Sequence, residues 1–428
     1  MRLKMLVLAG ALAAITRPAL AQAVSATIEA TSAVQALGLA DALRLAENAN
    51  PALRAKQAQL AAAEGVRTDA LGLLYNNPQL SLERARRDVP QAGLPTERRN
   101  EWSAGLSQTL EIAGQRGHRR QAAESALVAL RAEIDDRRRQ VRAEVAQQFY
   151  RVLALQQRVE LEAQALQLFE GTAAAVGKRR AAGEDTKLDA NVAAVEAERA
   201  RNQLAQATEQ LLDARNELSA KLQMPPQRLP EASGELADAA RPVPYTLQSL
   251  LVQVDVQPRL RALAAREESA RARLELENAG RYPDVTVGVS VGREGAFDAR
   301  ERLSTFSVSL PLPLFKHNAA GIGQARSELS QAEVERAAGT RDAQAQVRTL
   351  WAKLESLRAR VRRLQETVLP ALADNQQLSL KSQRAGQIGL LELIVVSRQA
   401  LDARRDLIDA LTDLQTTRLA LELAAGWA

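Results

Sequence analysis

Residues 285–292 read VTVGVSVG, and this stretch decides how the rest of the chain is interpreted. Valine takes every odd position from Val285 to Val291, while threonine, glycine and serine take the even positions. Successive side chains of a β-strand point to opposite faces of a sheet. The pattern therefore predicts a strand with one apolar face and one small, polar face.

The same alternation marks the segments at about 101–112 and 303–314, and with a strand after Asn77-Pro78 four strands are predicted, over about 78–86, 101–112, 284–293 and 303–314. Strands of about ten residues with this division are typical of membrane β-strands between lipid and a watery lumen. A sandwich strand with one buried face would show the same pattern. Four strands cannot close a membrane barrel, since the smallest known use eight, and an open edge cannot face lipid. We therefore expect several chains to share one barrel, and three chains would supply twelve strands.

The chain also repeats itself, with a shift of roughly 200 residues. The turn Asn77-Pro78 is echoed by Tyr282-Pro283, and 180–183 (RAAG) is echoed by 383–386 (QRAG). We interpret this as an internal duplication, with a predicted signal peptide at 1–21, a first repeat at 22–222, a proline-rich connector at 223–245 and a second repeat at 246–428.

Each repeat is predicted to run helix, strand, loop, strand and then two long helices. The predicted helices are 39–75, 118–175 and 187–222 in the first repeat, and 246–280, 320–382 and 389–424 in the second, each to within a few residues. The loops, at about 87–100 and 294–302, would face outward. The helix starting near Gly117 would be roughly 80 Å long. The connector would wrap around the helical body or serve as a flexible linker.

Composition excludes several classes of protein. A basic start, an apolar run from Met5 to Ile15 and the sequence Ala19-Leu20-Ala21, with small residues on either side of the leucine, predict an exported chain cleaved after Ala21. The absence of cysteine excludes disulfides and thiolate metal sites. The net charge of +6 includes three basic residues of the signal, leaving about +3, which does not indicate nucleic acid as a partner.

Catalytic chemistry is missing from the pattern. The chain has two histidines, His118 and His317, and no arrangement of nucleophile, base and orienting group is recognisable. The two histidines occupy corresponding places after the second strand of each half, which favours a role at a helix start over metal binding. We expect no enzyme activity, no cofactor and no bound metal.

Four segments of the chain resemble the TolC-like outer-membrane factors, and within them the CzcC-like branch that serves heavy-metal efflux. The resemblance is carried by residues 77–82 (NPQLSL), 105–117 (GLSQTLEIAGQRG), 309–315 (SLPLPLF) and 384–392 (RAGQIGLLE). It implies a mainly α fold with a small membrane β part, in which a homotrimer joins a twelve-stranded barrel to a long α-helical barrel. It also implies contact with outer-membrane lipid, a helical body in the periplasm, and partners that are a periplasmic adapter and an inner-membrane pump of the resistance-nodulation-division type.

The tips of the helical body would lie at the breaks 177–187 and 382–390, where Gly183 and Gly386 allow a tight reversal. Because several family members narrow the tunnel with acidic side chains, Asp185, Asp189 and Glu392 are gate candidates, with Lys187 and Arg384 as nearby basic groups. Ordinary solvent-facing charge would explain the same residues.

We expect an efflux duct for divalent heavy-metal cations. A drug or polypeptide duct of the same family, and a periplasmic coiled-coil scaffold without a pore, are the alternatives. The paired amphipathic strands distinguish the duct from the scaffold, which has no use for lipid-facing strands.

Overall fold

The computed structural model describes residues 36–225, 229–296 and 299–427, so the predicted signal peptide lies outside the described residues. The first part of the chain forms β1 (Ala36–Gly38), α1 (Leu39–Ala49), α2 (Pro51–Leu71), β2 (Gln79–Gln91), β3 (Leu94–Leu110), α3 (Gln115–Ala181) and α4 (Lys187–Leu222). A short strand, β4 (Glu231–Ser233), and a 3-10 turn (Leu236–Ala240) follow.

The same order then recurs. The second part forms α5 (Leu247–Val254), α6 (Pro258–Ala279), β5 (Val285–Ala296), β6 (Ala299–Ser309), α7 (Ala319–Arg363), a π-helical turn (Leu364–Val368), α8 (Leu369–Arg384) and α9 (Leu390–Ala425). The fold is mainly α with a small β part. With 67 residues, α3 is about 100 Å long at 1.5 Å per residue, longer than the 80 Å expected.

The four long strands form one antiparallel sheet in the order β2-β3-β5-β6. Its centre joins the two halves of the chain, because Leu106 of β3 lies opposite Val289 of β5. Leu80 pairs with Leu106 on one side, and Val289 pairs with Phe306 on the other. Each row across the sheet therefore contains residues of both halves.

The helical core runs along α3, where Val141, Val145, Phe149 and Val152 are all at most 1% exposed. Their spacing of four, four and three residues places them on one face of the helix. They pack with fully buried leucines of α4, α7 and α9, which are Leu218, Leu354, Leu414 and Leu421. Burying each such side chain contributes roughly 1.5–3 kcal/mol.

A second apolar cluster lies toward the end of α3 and includes Leu161 and Phe169. There α4 presents alanines, Ala193, Ala197 and Ala200, which let the helices approach closely, and α9 contributes Leu390, Ile394 and Leu401.

The proline-rich connector contains ordered structure. β4 pairs in parallel with β1, and the side chain of Gln156 in α3 accepts a hydrogen bond of 3.0 Å from the Ala232 amide. Leu236 and Tyr245 are buried in the main core. The connector is thus packed on the helices.

The first predicted helix, 39–75, is wrong in one respect, because it is two helices broken at Asn50. Asn50 caps α2 by accepting from the amides of Ala52 and Leu53 at 3.0 and 3.3 Å. Pro51 takes the first position of α2, where its missing N–H is not needed.

The predicted loops 87–100 and 294–302 are also wrong, because both strand pairs continue through them. β2 and β3 remain paired as far as Gln91 and Leu94, with Gly93 at φ 79° in the turn. Charged side chains projecting from a strand do not interrupt its backbone pairing. Conversely, β6 ends at Ser309 instead of near 314, since Pro311 and Pro313 cannot donate to a ladder.

The long helix predicted at 320–382 contains the π-helical turn at Leu364–Val368. Pro370 follows in the first turn of α8, and a proline ring clashes with the carbonyl four residues before it. The wider π turn makes room for that carbonyl without ending the helix.

Candidate functional site

The four-stranded sheet has a large exposed apolar face. Its rows combine residues of all four strands, and Leu80, Leu82, Trp102, Leu106, Val289, Val291, Phe306 and Val308 are each between 47% and 73% exposed. An apolar area of this extent is not left in contact with water in a monomeric soluble protein. The face requires an apolar surrounding.

The opposite face is small and polar. Gly105 lies beside Ser81 and Ser290, and a Cβ on Gly105 would come within 2.7 Å of the Ser81 hydroxyl. Gly288 is equally close to Ser307. β3 is less exposed on this face than on the apolar face, as expected for the inner side of a curved sheet, so we call the polar face concave and the apolar face convex.

Toward the hairpin ends the concave face becomes acidic. In the described part of the hairpins it carries Glu83, Glu97, Glu101, Glu294 and Glu301 together with Arg87 and Arg99. Glu101 is 7% exposed, its Oε2 lies 3.5 Å from Arg87, and its Oε1 has no hydrogen-bond partner within the described chain. Negative charge is therefore concentrated on the concave face near the hairpin ends.

Both outer strands of the sheet are unpaired on their free sides within the described chain, because β2 pairs with β3 and β6 pairs with β5. Each edge therefore presents a row of backbone N–H and C=O groups. In an apolar surrounding each unsatisfied group costs several kcal/mol, on the order of the loss of a buried hydrogen bond. In such a surrounding the two edges would need to pair with further strands.

At the far ends of the long helices, two turns repeat one geometry. Gly183 at φ 83° follows α3, and the amide of Glu184 donates to the carbonyl of Arg179 at 2.9 Å. Gly386 at φ 69° follows α8, and the amide of Gln387 donates to Ser382 at 2.8 Å. Both are Schellman motifs, in which a left-handed residue reverses the chain. The structure thus places both glycines where the chain doubles back.

The comparisons with known proteins agree with this architecture. The family model for outer membrane efflux proteins matches residues 42–222 and 254–427, most of the chain. The chain belongs to the outer membrane efflux protein family. Members of this family are channels rather than enzymes.

This outer membrane efflux protein is similar to the cobalt-zinc-cadmium resistance protein CzcC of Cupriavidus metallidurans, with 29% identity over 303 residues, or 71% of each chain. Its fold resembles that of a solved membrane protein from Pseudomonas aeruginosa, with a TM-score of 0.76, 22% identity and coverage of 91% and 93% of the two chains. It also resembles CusC, with a TM-score of 0.74, 19% identity and coverage of 91% and 92%. The family predicted from the sequence is confirmed, and so is the mainly α fold with a small β part.

The three acidic gate candidates have different surroundings in this efflux protein. Asp185 accepts a hydrogen bond of 2.8 Å from Nε of Arg179, so its partner is a residue of α3 and not Lys187. Asp189 closes a capping box with Thr186, and these hydrogen bonds lower the pKa of its carboxyl. Glu392 lies in the first turn of α9 and is exposed.

Sequence reasoning missed the residue that connects the two tips. In the amide orientation that satisfies both groups, Oε1 of Gln383 accepts hydrogen bonds of 3.2 Å from Arg179. Arg179 therefore donates hydrogen bonds both to Asp185 of its own turn and to Gln383 of α8. An arginine in a basic run, 178–180, gives no sequence signal that distinguishes it from its neighbours.

Buried ion pairs between the halves were missed for the same reason. Glu162 of α3 is 2% exposed and accepts from Nε of Arg405 in α9 at 2.8 Å. Glu196 of α4 is 7% exposed and accepts from Nε of Arg398 at 2.7 Å. The sequence shows these acids as ordinary helix charges, and only the packing of α9 buries them.

Two equivalent leucines remain exposed beside the turns. Leu188 at the start of α4 is 71% exposed, and Leu391 at the start of α9 is 64% exposed. Leu188 is followed by Asp189, which belongs to the capping box of α4, and Leu391 is followed by the exposed Glu392. Both are large apolar side chains that a partner at this end of the helices could contact.

No cluster of three or more His, Cys, Asp or Glu side chains is arranged to hold a metal ion in the described ranges. His118 lies in the first turn of α3 and His317 just before α7. Among the described helices, none is both long and apolar enough to cross a membrane.

Proposed function

We propose that three copies of this chain form an outer-membrane duct of a tripartite efflux system. The observation that carries the proposal is the sheet, with its exposed apolar convex face, its polar concave face and its two open edges. Edge-to-edge pairing of three copies joins twelve strands and satisfies every edge, as an apolar surrounding requires. The long helices then continue the duct into the periplasm.

We propose divalent heavy-metal cations as the cargo. The acidic residues on the concave face support this cargo, since in a closed trimer the lumen would carry three copies of each. Similarity to a protein named for cobalt, zinc and cadmium resistance supports it independently. Weakly held cations suit a conduit, because an ion that is bound tightly cannot leave. A duct for drugs or polypeptides is the competing function within the family.

The turns at Gly183 and Gly386 are proposed as the periplasmic tips, with Leu188 and Leu391 contacting a periplasmic adapter that joins the duct to a resistance-nodulation-division pump. Asp185, Asp189 and Glu392 are the proposed gate acids. The Arg179 pair with Asp185 and Gln383 supports a closed resting tip, because it ties the two helix pairs of one chain together.

Conductance of the purified mature protein in planar bilayers, measured together with its mass in detergent, tests the duct. We expect a trimer with discrete, cation-selective steps. Substituting Arg179→Gln should raise the fraction of time spent open, whereas Arg151→Gln, which removes an exposed ion pair on the same helix, should not. A water-soluble monomer without conductance would overturn the duct and favour the scaffold.

Sensitivity of a gene-deletion strain tests the cargo. We expect growth to become sensitive to cobalt, zinc or cadmium salts and to recover when the gene is returned. Sensitivity to drugs with unchanged metal tolerance would favour the alternative cargo while leaving the duct intact.

A further inference from the structure

The apolar band of the convex face ends at a row of three arginines and one tryptophan, which we call the arginine row. Arg84 of β2, Trp102 of β3, Arg293 of β5 and Arg302 of β6 are aligned by the strand register into one row across all four strands. The next row toward the helices is Leu82, Ala104, Val291 and Ser304, and the one after it is Leu80, Leu106, Val289 and Phe306. The arginine row therefore borders the apolar band directly.

The two faces of the sheet differ in the sign of their charge near the hairpin ends. In the described residues, the convex face carries six arginines, Arg84, Arg86, Arg98, Arg293, Arg300 and Arg302, and one acid, Asp88. The other acids of these strands, Glu83, Glu97, Glu101, Glu294 and Glu301, lie on the concave face. The glutamates of the concave face do not pair with the arginines of the convex face, because the backbone of the sheet lies between them.

Like charges also face each other within the row. Arg293 and Arg302 are direct cross-strand partners, an arrangement that destabilises a strand pair unless a counter-charge intervenes. Neither they nor Arg84 form an ion pair with any described residue, whereas Asp88 lies 3.9 Å from both Arg86 and Arg98. The row is thus built with positive charge that the described chain does not neutralise.

From these observations we infer that the arginine row binds the phosphate groups of the glycolipid in the outer leaflet of the membrane. The row lies at the height where an apolar band meets polar headgroups, and Trp102 within it is a side chain favoured at that boundary. Guanidinium groups recognise phosphate with two parallel hydrogen bonds. Neighbouring strands are about 4.8 Å apart, so Arg293 and Arg302 can share one phosphate.

The lipid's acyl chains would then lie along the apolar rows below, against Leu82, Val291 and Phe306. The phosphates would neutralise the opposed arginines, and in a closed trimer the row would repeat three times around the barrel. The inference rests on the proposed membrane duct, since it needs the convex face to meet lipid.

Native mass spectrometry of the full-length trimer tests the inference, with purified diphosphorylated lipid A and its dephosphorylated form as the two probes. We expect the wild-type trimer to retain the phosphorylated form at least tenfold better. The triple variant Arg84→Gln, Arg293→Gln, Arg302→Gln should lose that preference. A matched variant, Arg67→Gln, Arg151→Gln, Arg273→Gln, removes the same charge from exposed helix positions and should keep it.

Conductance of the same samples distinguishes a failure of the lipid site from a failure of the proposed duct. A conducting trimer that retains both lipids equally, or a conducting triple variant that still prefers the phosphorylated form, would overturn the lipid site and leave the duct standing. A chain that forms neither trimer nor conducting channel would overturn the duct, and the lipid site with it.

Discussion

Glu162 shows at the scale of one residue how the two halves are held in register. Its carboxylate is almost fully buried and accepts from Arg158 of its own helix and from Arg405 of α9, each Nε at 2.8 Å. A charge taken out of water is tolerated only when such partners replace its hydration. Packing that separated α9 from α3 would leave this buried charge with one partner fewer.

Removing one partner of this buried pair should be costly. We expect Arg405→Met to lower the free energy of unfolding by roughly 3 kcal/mol, because Glu162 keeps its charge with one fewer partner. Denaturant unfolding followed by circular dichroism measures the change. Arg44→Met is the control, since its pair with Asp41 is exposed and is worth at most about 1 kcal/mol. Equal losses for the two variants would contradict the argument, and adding Glu162→Gln to Arg405→Met should restore part of the loss.

Tyr245 gives the protein a predictable response to alkaline pH. Its ring is buried against Trp427 and Trp351, with centroids 5.0 and 6.4 Å away, and its hydroxyl donates to Glu422 at 3.0 Å. Burial, followed by the Glu422 charge, raises the pKa of the phenol well above its usual value. The folded state thus keeps a proton that the unfolded chain loses near pH 10.

The sign follows from this difference in proton binding. Because the unfolded state binds fewer protons above about pH 10, stability contributed by Tyr245 is present below that pH and declines as the pH rises. We expect the melting temperature of the wild type to fall as the pH rises above about 10, and that of Tyr245→Phe to fall less steeply. Parallel slopes in thermal melts of the two proteins would show that Tyr245 does not control the decline.

At the scale of elements, the helix turns depend on backbone conformation. Gly183 adopts φ 83°, where a Cβ is strained, although nothing lies within 4 Å of it. Gly177 lies within α3 and has equal space. The two glycines therefore separate the effect of conformation from the effect of packing.

Alanine should have opposite effects at these two glycines. We expect Gly183→Ala to destabilise the turn by about 1 kcal/mol and Gly177→Ala to stabilise α3 by up to about 1 kcal/mol. Amide hydrogen exchange at 178–190 measures both changes locally. Faster exchange in both variants would mean that side-chain volume, and not φ, controls the turn.

The two equivalent helices α4 and α9 begin differently. Thr186 caps α4 in a full capping box, whereas Gly389 at the start of α9 is extended and provides no side-chain cap. Glu392 already occupies the third position of α9, where a capping box needs an acid. The second tip is therefore less strongly fixed than the first.

Supplying the missing cap should tighten the start of α9. We expect Gly389→Ser to add a few tenths of a kcal/mol to its first turn, and Thr186→Gly to remove a similar amount from α4. The nearest atom to the added Cβ is the mobile carboxylate of Glu392, which can move aside. Hydrogen exchange in the first turns of α4 and α9 should shift in opposite directions, and an unchanged α9 would refute the expectation.

At the scale of the whole molecule, the free edges of β2 and β6 are where one copy would join the next in the proposed duct. Four strands leave two edges, and pairing β2 of one chain with β6 of another produces a closed ring when the curvature of the sheet is complete. Open association would continue without limit. The number of copies is therefore a property of sheet curvature and not of any single contact.

Cysteine cross-linking counts the copies directly, since the chain contains no cysteine. We expect Ser81→Cys in β2, combined in turn with Thr305→Cys, Ser307→Cys or Ser309→Cys in β6, to give a ladder that stops at the trimer. Ser81→Cys alone should remain uncrosslinked on the same gel. A ladder beyond three chains, or none with any combination, would contradict a closed trimer.

Local pattern was enough to predict much of this protein. The valine alternation at 285–292, the repeated landmarks and the helix-forming composition predicted the strands, the element order and the long helices, because side-chain period and backbone propensity are local properties. The glycines at 183 and 386 were recognisable for the same reason, since a reversal after a helix needs a left-handed residue.

Tertiary structure determined the features that depend on contacts between distant parts of the chain. Charged residues at 87–100 were expected in a loop, but pairing between β2 and β3 extends through them, because a partner strand satisfies the backbone whatever the side chains are. The partner of Asp185, the burial of Glu162 and the alignment of Arg84 with Arg302 depend on which segments meet in space. Distances between residues more than a hundred positions apart are set by packing and register, and a single stretch of sequence carries no record of them.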